Sequence, residues 1–242
     1  MADPGQSSIE VFAPSSSGNT PPTGVIKGKN TGLLTPLGVA ADLANIYVTD
    51  QKANSVFVYP IGSDGDVAPS ATIAGSNAGL SAPSGITVDS AGNIYVANTT
   101  NTITVYAPGA NGNTAPTRTI SGSNTGLIDP DGLAFDAAGN LYVANGGSGI
   151  SPPKKVVGSS ITVYAPGATG NASPIATISG NLTGLINPNG IALDLCGTIY
   201  VTDVDTASVI EFASGSKGNV LPIRVISGVD TGLRFAHGIA IH

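Results

Sequence analysis

Residues 102–145 read TITVYAPGANGNTAPTRTISGSNTGLIDPDGLAFDAAGNLYVAN, and residues 160–203 read SITVYAPGATGNASPIATISGNLTGLINPNGIALDLCGTIYVTD. Aligned without gaps, 26 of the 44 pairs are identical. The same module extends outward in both directions. Its tyrosine recurs at Tyr47, Tyr95, Tyr142 and Tyr200, in steps of 48, 47 and 58 residues. The glycine that follows its proline recurs at Gly38, Gly85, Gly132, Gly190 and Gly238, in steps of 47, 47, 58 and 48. The period is therefore about 47, and one module carries about 11 extra residues. A period of this size marks a repeat architecture in which each unit must lean on its neighbours to bury its faces.

Each module holds four short runs rich in Val, Ile, Tyr and Thr, the residues that suit a pleated and half-buried surface. In one module these are 86–89, 93–97, 103–107 and 118–121. Asp89-Ser90-Ala91-Gly92-Asn93 separates the first two and returns as Asp136-Ala137-Ala138-Gly139-Asn140. An aspartate that accepts bonds from the following backbone, with a glycine able to take positive φ, describes a tight turn. Ala-Pro-Gly-Ala-Asn-Gly-Asn joins the third run to the fourth. Four antiparallel strands every 40–50 residues predict an all-β chain folded as a β-propeller. The first run is apolar on both sides, as at 190–194 and 238–242, which suits blades stacked face to face.

The shared pattern is Pro-x-Gly-Ile-Ala-Val-Asp, then Gly-Asn-Ile-Tyr-Val-Ala-Asn/Asp, then Ile-x-Val-Tyr/Phe. In these residues the chain resembles the NHL-repeat β-propellers of bacterial, extracellular type, over essentially residues 9–242. The resemblance implies a Pro-x-Gly strand innermost and the strand after Tyr-Ala-Pro-Gly outermost. It also implies either a binding module or a metal-dependent hydrolase or lyase acting at a central channel. Members that rely on channel histidines are matched poorly, because the chain's two histidines, His237 and His242, both fall in its last six residues.

The modules start out of phase with the chain. Ile9-Glu10-Val11-Phe12-Ala13-Pro14 aligns with Ile103-Thr104-Val105-Tyr106-Ala107-Pro108, a third strand, while 238–242 reads as a first strand. About five blades of four antiparallel strands are expected, with a closing blade shared by both termini and lacking its second strand. The units run approximately 9–36, 37–83, 84–130, 131–188 and 189–236, with a final strand at 238–242 and residues 1–8 as an N-terminal tail. An incomplete blade exposes an edge, so self-association through it is a third functional expectation.

Composition narrows the function classes. Gly (33) and Pro (17) make up about a fifth of 242 residues, which disfavours long helices. Charged residues are only 10%, net charge is −6, and nine Lys and Arg are scattered, so nucleic acid is not an expected partner. No apolar run reaches the 18 or so residues of a membrane helix, although mean hydropathy is +0.23. A surface of Ser, Thr, Asn and Gly points to a secreted or cell-surface protein, with no signal peptide in the residues present. The one cysteine, Cys196, allows no intrachain disulfide and reads as a small buried thiol beside a turn.

Loops between second and third strands share one face with those leading into the next blade. The extra residues fall there, at 146–159, and bring Lys154-Lys155, the only adjacent basic pair. The candidate ligand-binding residues on this face are Asp50, Asn54, Asn98, Asn101, Asn145, Lys154, Lys155, Asp203 and Asp205. Asp129, Asp131, Asn187, Asn189 and Asp230 lie in the adjoining loop set. Such oxygen donors suit a protein or small-molecule ligand, and the cofactor they could hold is Ca²⁺ or Mg²⁺. Asp42, Asp89, Asp136 and Asp194 recur in every module, which argues for turns rather than a site. No residue is assigned a catalytic role.

Overall fold

The computed structural model describes residues 1–146, 158–234, 236–241. The chain is all-β, a five-blade propeller fold whose full blades have four antiparallel strands. The first sheet has three strands: β1 (Ala2–Asp3), β2 (Ser8–Val11) and β3 (Gly24–Ile26). The second holds β4 (Pro36–Ala41), β5 (Asn45–Asp50), β6 (Ser55–Pro60) and β7 (Ala71–Ile73). The third holds β8 (Pro83–Val88), β9 (Ile94–Asn98), β10 (Thr102–Tyr106) and β11 (Arg118–Ile120). The fourth holds β12 (Pro130–Phe135), β13 (Leu141–Asn145), β14 (Ser160–Tyr164) and β15 (Ala176–Ile178). The fifth holds β16 (Pro188–Leu193), β17 (Ile199–Asp203), β18 (Ser208–Phe212) and β19 (Arg224–Ile226). Among the described residues the only helical element is one 3-10 turn, Val229–Thr231.

The backbone groups into two compact units, residues 1–96 with 105–117 and residues 97–104 with 118–242. In the first, Ile9, Ile26, Val48 and Tyr59 anchor one core cluster, and Val56, Ile73, Ile86, Ile94 and Tyr106 another. In the second, Ile161, Ile178, Ile199, Val201 and Phe212 do the same. Each cluster takes side chains from two consecutive sheets, as expected for modules that cannot bury both faces alone.

Two devices join consecutive sheets. The first is a rim staple. Ile26 bridges Gly65 in parallel, and Ile73 bridges Gly112. In the second unit Ile120 bridges Gly170 and Ile178 bridges Gly218. Next to each bridge an Asp or Asn caps the preceding loop: Asp66 Oδ1 accepts Asn30 N–H at 2.7 Å, and Asn113 Oδ1 accepts Asn77 N–H at 2.7 Å. Asn171 serves Asn124 at 2.7 Å and Asn219 serves Leu182 at 2.8 Å. Gly75, at φ +108, must be glycine, since a Cβ there would stand 2.5 Å from Asn113 Oδ1. The second device is a buried tyrosine whose hydroxyl donates to the loop carbonyl one module back. Tyr59 reaches Thr31 at 2.6 Å, Tyr106 reaches Ala78 at 2.5 Å, and Tyr164 reaches Thr125 at 2.6 Å.

The first strands differ in part from expectation. Sequence predicts them packed on both sides, and β16 is mostly buried, but β4 and β12 bury only one and two of their six residues, while β9, β13 and β14 are buried throughout. Their contact is made by backbone. A Cβ on Gly38 would stand 2.5 Å from Ser84 O, and one on Gly132 or Gly190 would meet Asn189 O or His237 O. The Pro-x-Gly segment forms a bulge, with register shifts between Pro36 and Val39, Pro130 and Leu133, and Pro188 and Ile191. A bulge accommodates the proline's missing donor and turns the glycine edge-on to the next strand.

Three expectations at the chain's ends and turns are corrected. Residues 1–8 are not a bare tail: Ala2 pairs with Ile9 and Asp3 with Ser8, supplying the end of the second strand that the module count lacks. Asp3 holds Gln6 N–H at 3.0 Å, as Asp50 holds Ala53 N–H at 2.8 Å. Two strand residues followed by Asp3-Pro4-Gly5 carry too little pattern to be read. At the other end, 238–241 form no strand, although His237 O accepts from Thr202 Oγ1 at 3.0 Å and the segment lies against Gly190. His242 lies outside the described residues. Finally, Cys196 is exposed, because it sits on the solvent side of the Asp194 turn.

Candidate functional site

The first-to-second strand turns behave as the sequence predicts. Asp42 Oδ1 accepts Ala44 and Asn45 N–H at 2.7 and 2.8 Å, and its Oδ2 accepts the Tyr47 hydroxyl at 2.7 Å. Asp89 and Asp136 close the same turn with Asn93 and Asn140, and Asp194 with Thr198 and Tyr200. The Ala44 N–H and then the Tyr47 hydroxyl hold the Asp42 carboxyl below its ordinary value. The Thr198 N–H does the same for Asp194. At Asp89 burial opposes the charge, but bonds from Asn93 outweigh it and the net shift is downward.

The candidate ligand-binding positions are equally committed to the frame. In the first unit, Asp50 is fully buried. Its Oδ2 accepts Leu34 and Thr35 N–H at 2.7 and 2.8 Å, and its Oδ1 accepts Ala53 N–H. Asn54 is exposed and left-handed at φ 51, donating to Leu80 O at 3.0 Å and accepting from Ala82 N at 2.9 Å.

In the second unit, Asp203 repeats Asp50. Its Oδ2 accepts Ile186 and Asn187 N–H at 2.8 and 2.9 Å, and its Oδ1 accepts Thr206 N–H and hydroxyl, both at 3.0 Å. Asn145 and Asn98, both buried, sit at the corresponding strand ends. Asn145 donates to Thr162 Oγ1 at 3.1 Å and accepts from Ile128 N, and Asn98 donates to Thr104 Oγ1 at 3.1 Å. Asn101, at φ 64, accepts Asp129 N–H at 2.8 Å. Asp205 is exposed. Lys154 and Lys155 lie outside the described residues.

Behind these latches the structure gathers the adjoining loop set of the second unit. Asn189 Nδ2 donates to Asp131 Oδ2 at 2.6 Å. Gly146 N–H donates to Asp129 O at 3.0 Å, and a Cβ on Gly146 would stand 2.8 Å from Asn187 Oδ1. Burial pushes the Asp129 carboxyl above its ordinary value. Asp131 and Asn189 occupy the variable place of Pro-x-Gly, where the other modules carry Leu37, Ser84 and His237. Sequence placed them in this loop set without singling them out. The signal was available in their departure from the repeat, since masonry recurs and specificity breaks symmetry. Among the described residues no three His, Cys, Asp or Glu side chains are grouped to hold a metal ion.

No protein-family model matches the chain, and no curated protein does. Solved structures do match. One is a streptogramin B lyase, 15% identical at TM-score 0.51, covering 78% of this chain and 53% of that one. Another is the WD40 β-propeller domain of Doa1, 13% identical at TM-score 0.57, covering 90% and 61%. A third is a chain of the mitotic checkpoint complex, 11% identical at TM-score 0.62, covering 98% and 64%. This chain thus spans between 53% and 64% of the length of those chains. At these identities the likeness is one of fold alone.

Proposed function

We propose that the chain is a secreted or cell-surface scaffold of the NHL-like propeller type that presents one loop face to a protein or small-molecule ligand. The observation that carries this reading is a division of labour between side chains. Residues that recur in the modules, such as Asp50, Asn145 and Asp203, spend their polar atoms on the backbone and hydroxyls of the frame. Those that break the repeat, Asp131 in β12 and Asn189 in β16, form a partly exposed pair at the starts of two strands whose preceding loops the recurring residues hold. A preformed polar pair on a rigid frame binds at low ordering cost. Asp205, Lys154 and Lys155 are part of the same proposal. The test is capture of a partner from the protein's native surroundings by wild type and by Asp131→Ala with Asn189→Ala. Loss of capture with an unchanged melting temperature supports the assignment, and unchanged capture removes the pair from the site.

The rival reading, a hydrolase or lyase using Ca²⁺ or Mg²⁺, draws on the raised carboxyl of Asp129 beside the Asp131–Asn189 pair. It expects a melting temperature that rises with Ca²⁺ or Mg²⁺ and falls with EDTA. An indifferent melt excludes it.

A further inference from the structure

We infer that Asn111 is a self-modifying site, where the Gly112 amide nitrogen closes on the asparagine side chain, expels ammonia and leaves an aspartyl or isoaspartyl residue in a rim staple. Asn-Gly occurs three times in the chain, at Asn111-Gly112, Asn145-Gly146 and Asn189-Gly190. Glycine has no Cβ to block its nitrogen from the preceding side chain, so each pair is chemically competent. The fold separates them. Asn145 is buried in β13, with its Nδ2 donating to Thr162 Oγ1 at 3.1 Å, while Gly146 N–H donates to Asp129 O. Asn189 lies in β16, with its Nδ2 donating to Asp131 Oδ2 at 2.6 Å, while Gly190 N–H donates to Thr202 Oγ1 at 2.8 Å. In both strands the attacking nitrogen is directed at another segment.

The turn after β10 arranges the same atoms differently. Gly112 N–H reaches Asn111 Oδ1 at 2.9 Å, so the nitrogen already stands against the neighbouring carboxamide. It shares that hydrogen with Thr72 O at 2.7 Å. Thr72 N–H donates to the same Oδ1 at 2.9 Å, a donor for the negative charge that gathers there as the nitrogen adds. Hydroxide removes the Gly112 amide proton, the N–Cγ bond forms and the Cγ–Nδ2 bond breaks. Ammonia departs with a proton taken back from water, leaving a succinimide. Water then opens the ring, at Cγ to give aspartate or at the main-chain carbonyl to give isoaspartate, and nothing is oxidised or reduced. Aspartate already fills this place in the first staple, where Asp64 Oδ1 accepts Val25 N–H at 2.7 Å. Isoaspartate routes the chain through the side-chain carbons and adds a methylene to the main chain. The bridge of Ile73 to Gly112, with its bonds from Gly112 N–H to Thr72 O and Ala74 N–H to Gly112 O, then loses register.

Peptide mass mapping of the full chain, aged in warm and mildly alkaline buffer, tests this. The same chain in guanidinium chloride is the reference for sequence alone, and there the three pairs should convert at similar rates. In the folded chain Asn111 should convert at least about tenfold faster than Asn145 or Asn189, because a strand must open before its side chain reacts. The isoaspartyl fraction, recognised by isoaspartate-specific enzymatic methylation and separated by charge, should melt below fresh protein. Asn111→Asp should melt with fresh protein. Conversion of Asn145 or Asn189 as fast as Asn111 in the folded chain overturns the proposal, as does an Asn111 that stays intact while the unfolded chain converts. An isoaspartyl fraction that melts like fresh protein overturns the effect on the staple.

Discussion

The Tyr164 hydroxyl donates to the Thr125 carbonyl at 2.6 Å, from a ring that is wholly buried. That burial pushes the phenol up to about 12, so it stays a donor at any physiological pH. Tyr59 and Tyr106 make the same bond, whereas the fourth equivalent position is Phe212, with no hydroxyl.

The first prediction follows from that contrast. Tyr164→Phe leaves a buried carbonyl without its donor and should lower unfolding free energy by about 1–3 kcal/mol. Phe212→Tyr should raise it by about 1 kcal/mol, because the same geometry offers the Thr183 carbonyl a donor. Urea denaturation of the two variants decides. A destabilised Phe212→Tyr would mean that this blade packs too tightly for the extra oxygen.

Asp203 accepts four donors from two loops. Asp203→Ala strands those donors and should cost about 2–4 kcal/mol. Asp203→Asn should cost less, since Asn145 and Asn98 serve at the equivalent strand ends. Equal losses in both, measured by chemical denaturation, would show that charge rather than acceptor geometry holds the loop.

Acid should loosen the hairpin turns. The carboxyls of Asp42, Asp89 and Asp194 are depressed in the folded chain. Their stabilisation is therefore complete above the unfolded value of about 4 and disappears as pH falls through the lower folded values. Melting temperature should drop steeply below about pH 4. Asp42→Asn should flatten that slope.

Asp129 has the opposite sign. Its folded carboxyl is raised by burial, so its contribution is full below the unfolded value and is lost as pH rises through the folded one. Asp129→Asn should raise the melting temperature at pH 7 and leave it unchanged at pH 3. Asparagine also tolerates the left-handed φ of 50 at this site. A lower melting temperature at pH 7 would show that the charge has a stabilising partner.

Much of the frame was legible because repetition multiplies a weak signal. One Asp-x-x-Gly-Asn segment is an ordinary turn, but recurring at Asp89 and Asp136, with variants at Asp42 and Asp194, it fixes hairpins in register. Strand β1 was illegible because it has two residues and no alternation. The residues of the candidate site are legible in sequence, but their hydrogen-bond partners are not. Asp50, Asn145 and Asp203 look like exposed loop ligands in sequence, yet they turn inward to hold backbone. Asp131 and Asn189 are unremarkable in sequence, 58 residues apart, and meet only because consecutive inner strands lie side by side.

Sequence alone determined the module, its four strands, its turns and the class of fold, because local propensity and a period near 47 leave one consistent way to bury each face. Tertiary structure decided which polar side chains hold the frame and which pair with each other across consecutive strands. The reason is physical: a side chain's chemistry is written in its own residue, but its partners belong to a neighbouring module, and only packing brings the two within bonding distance.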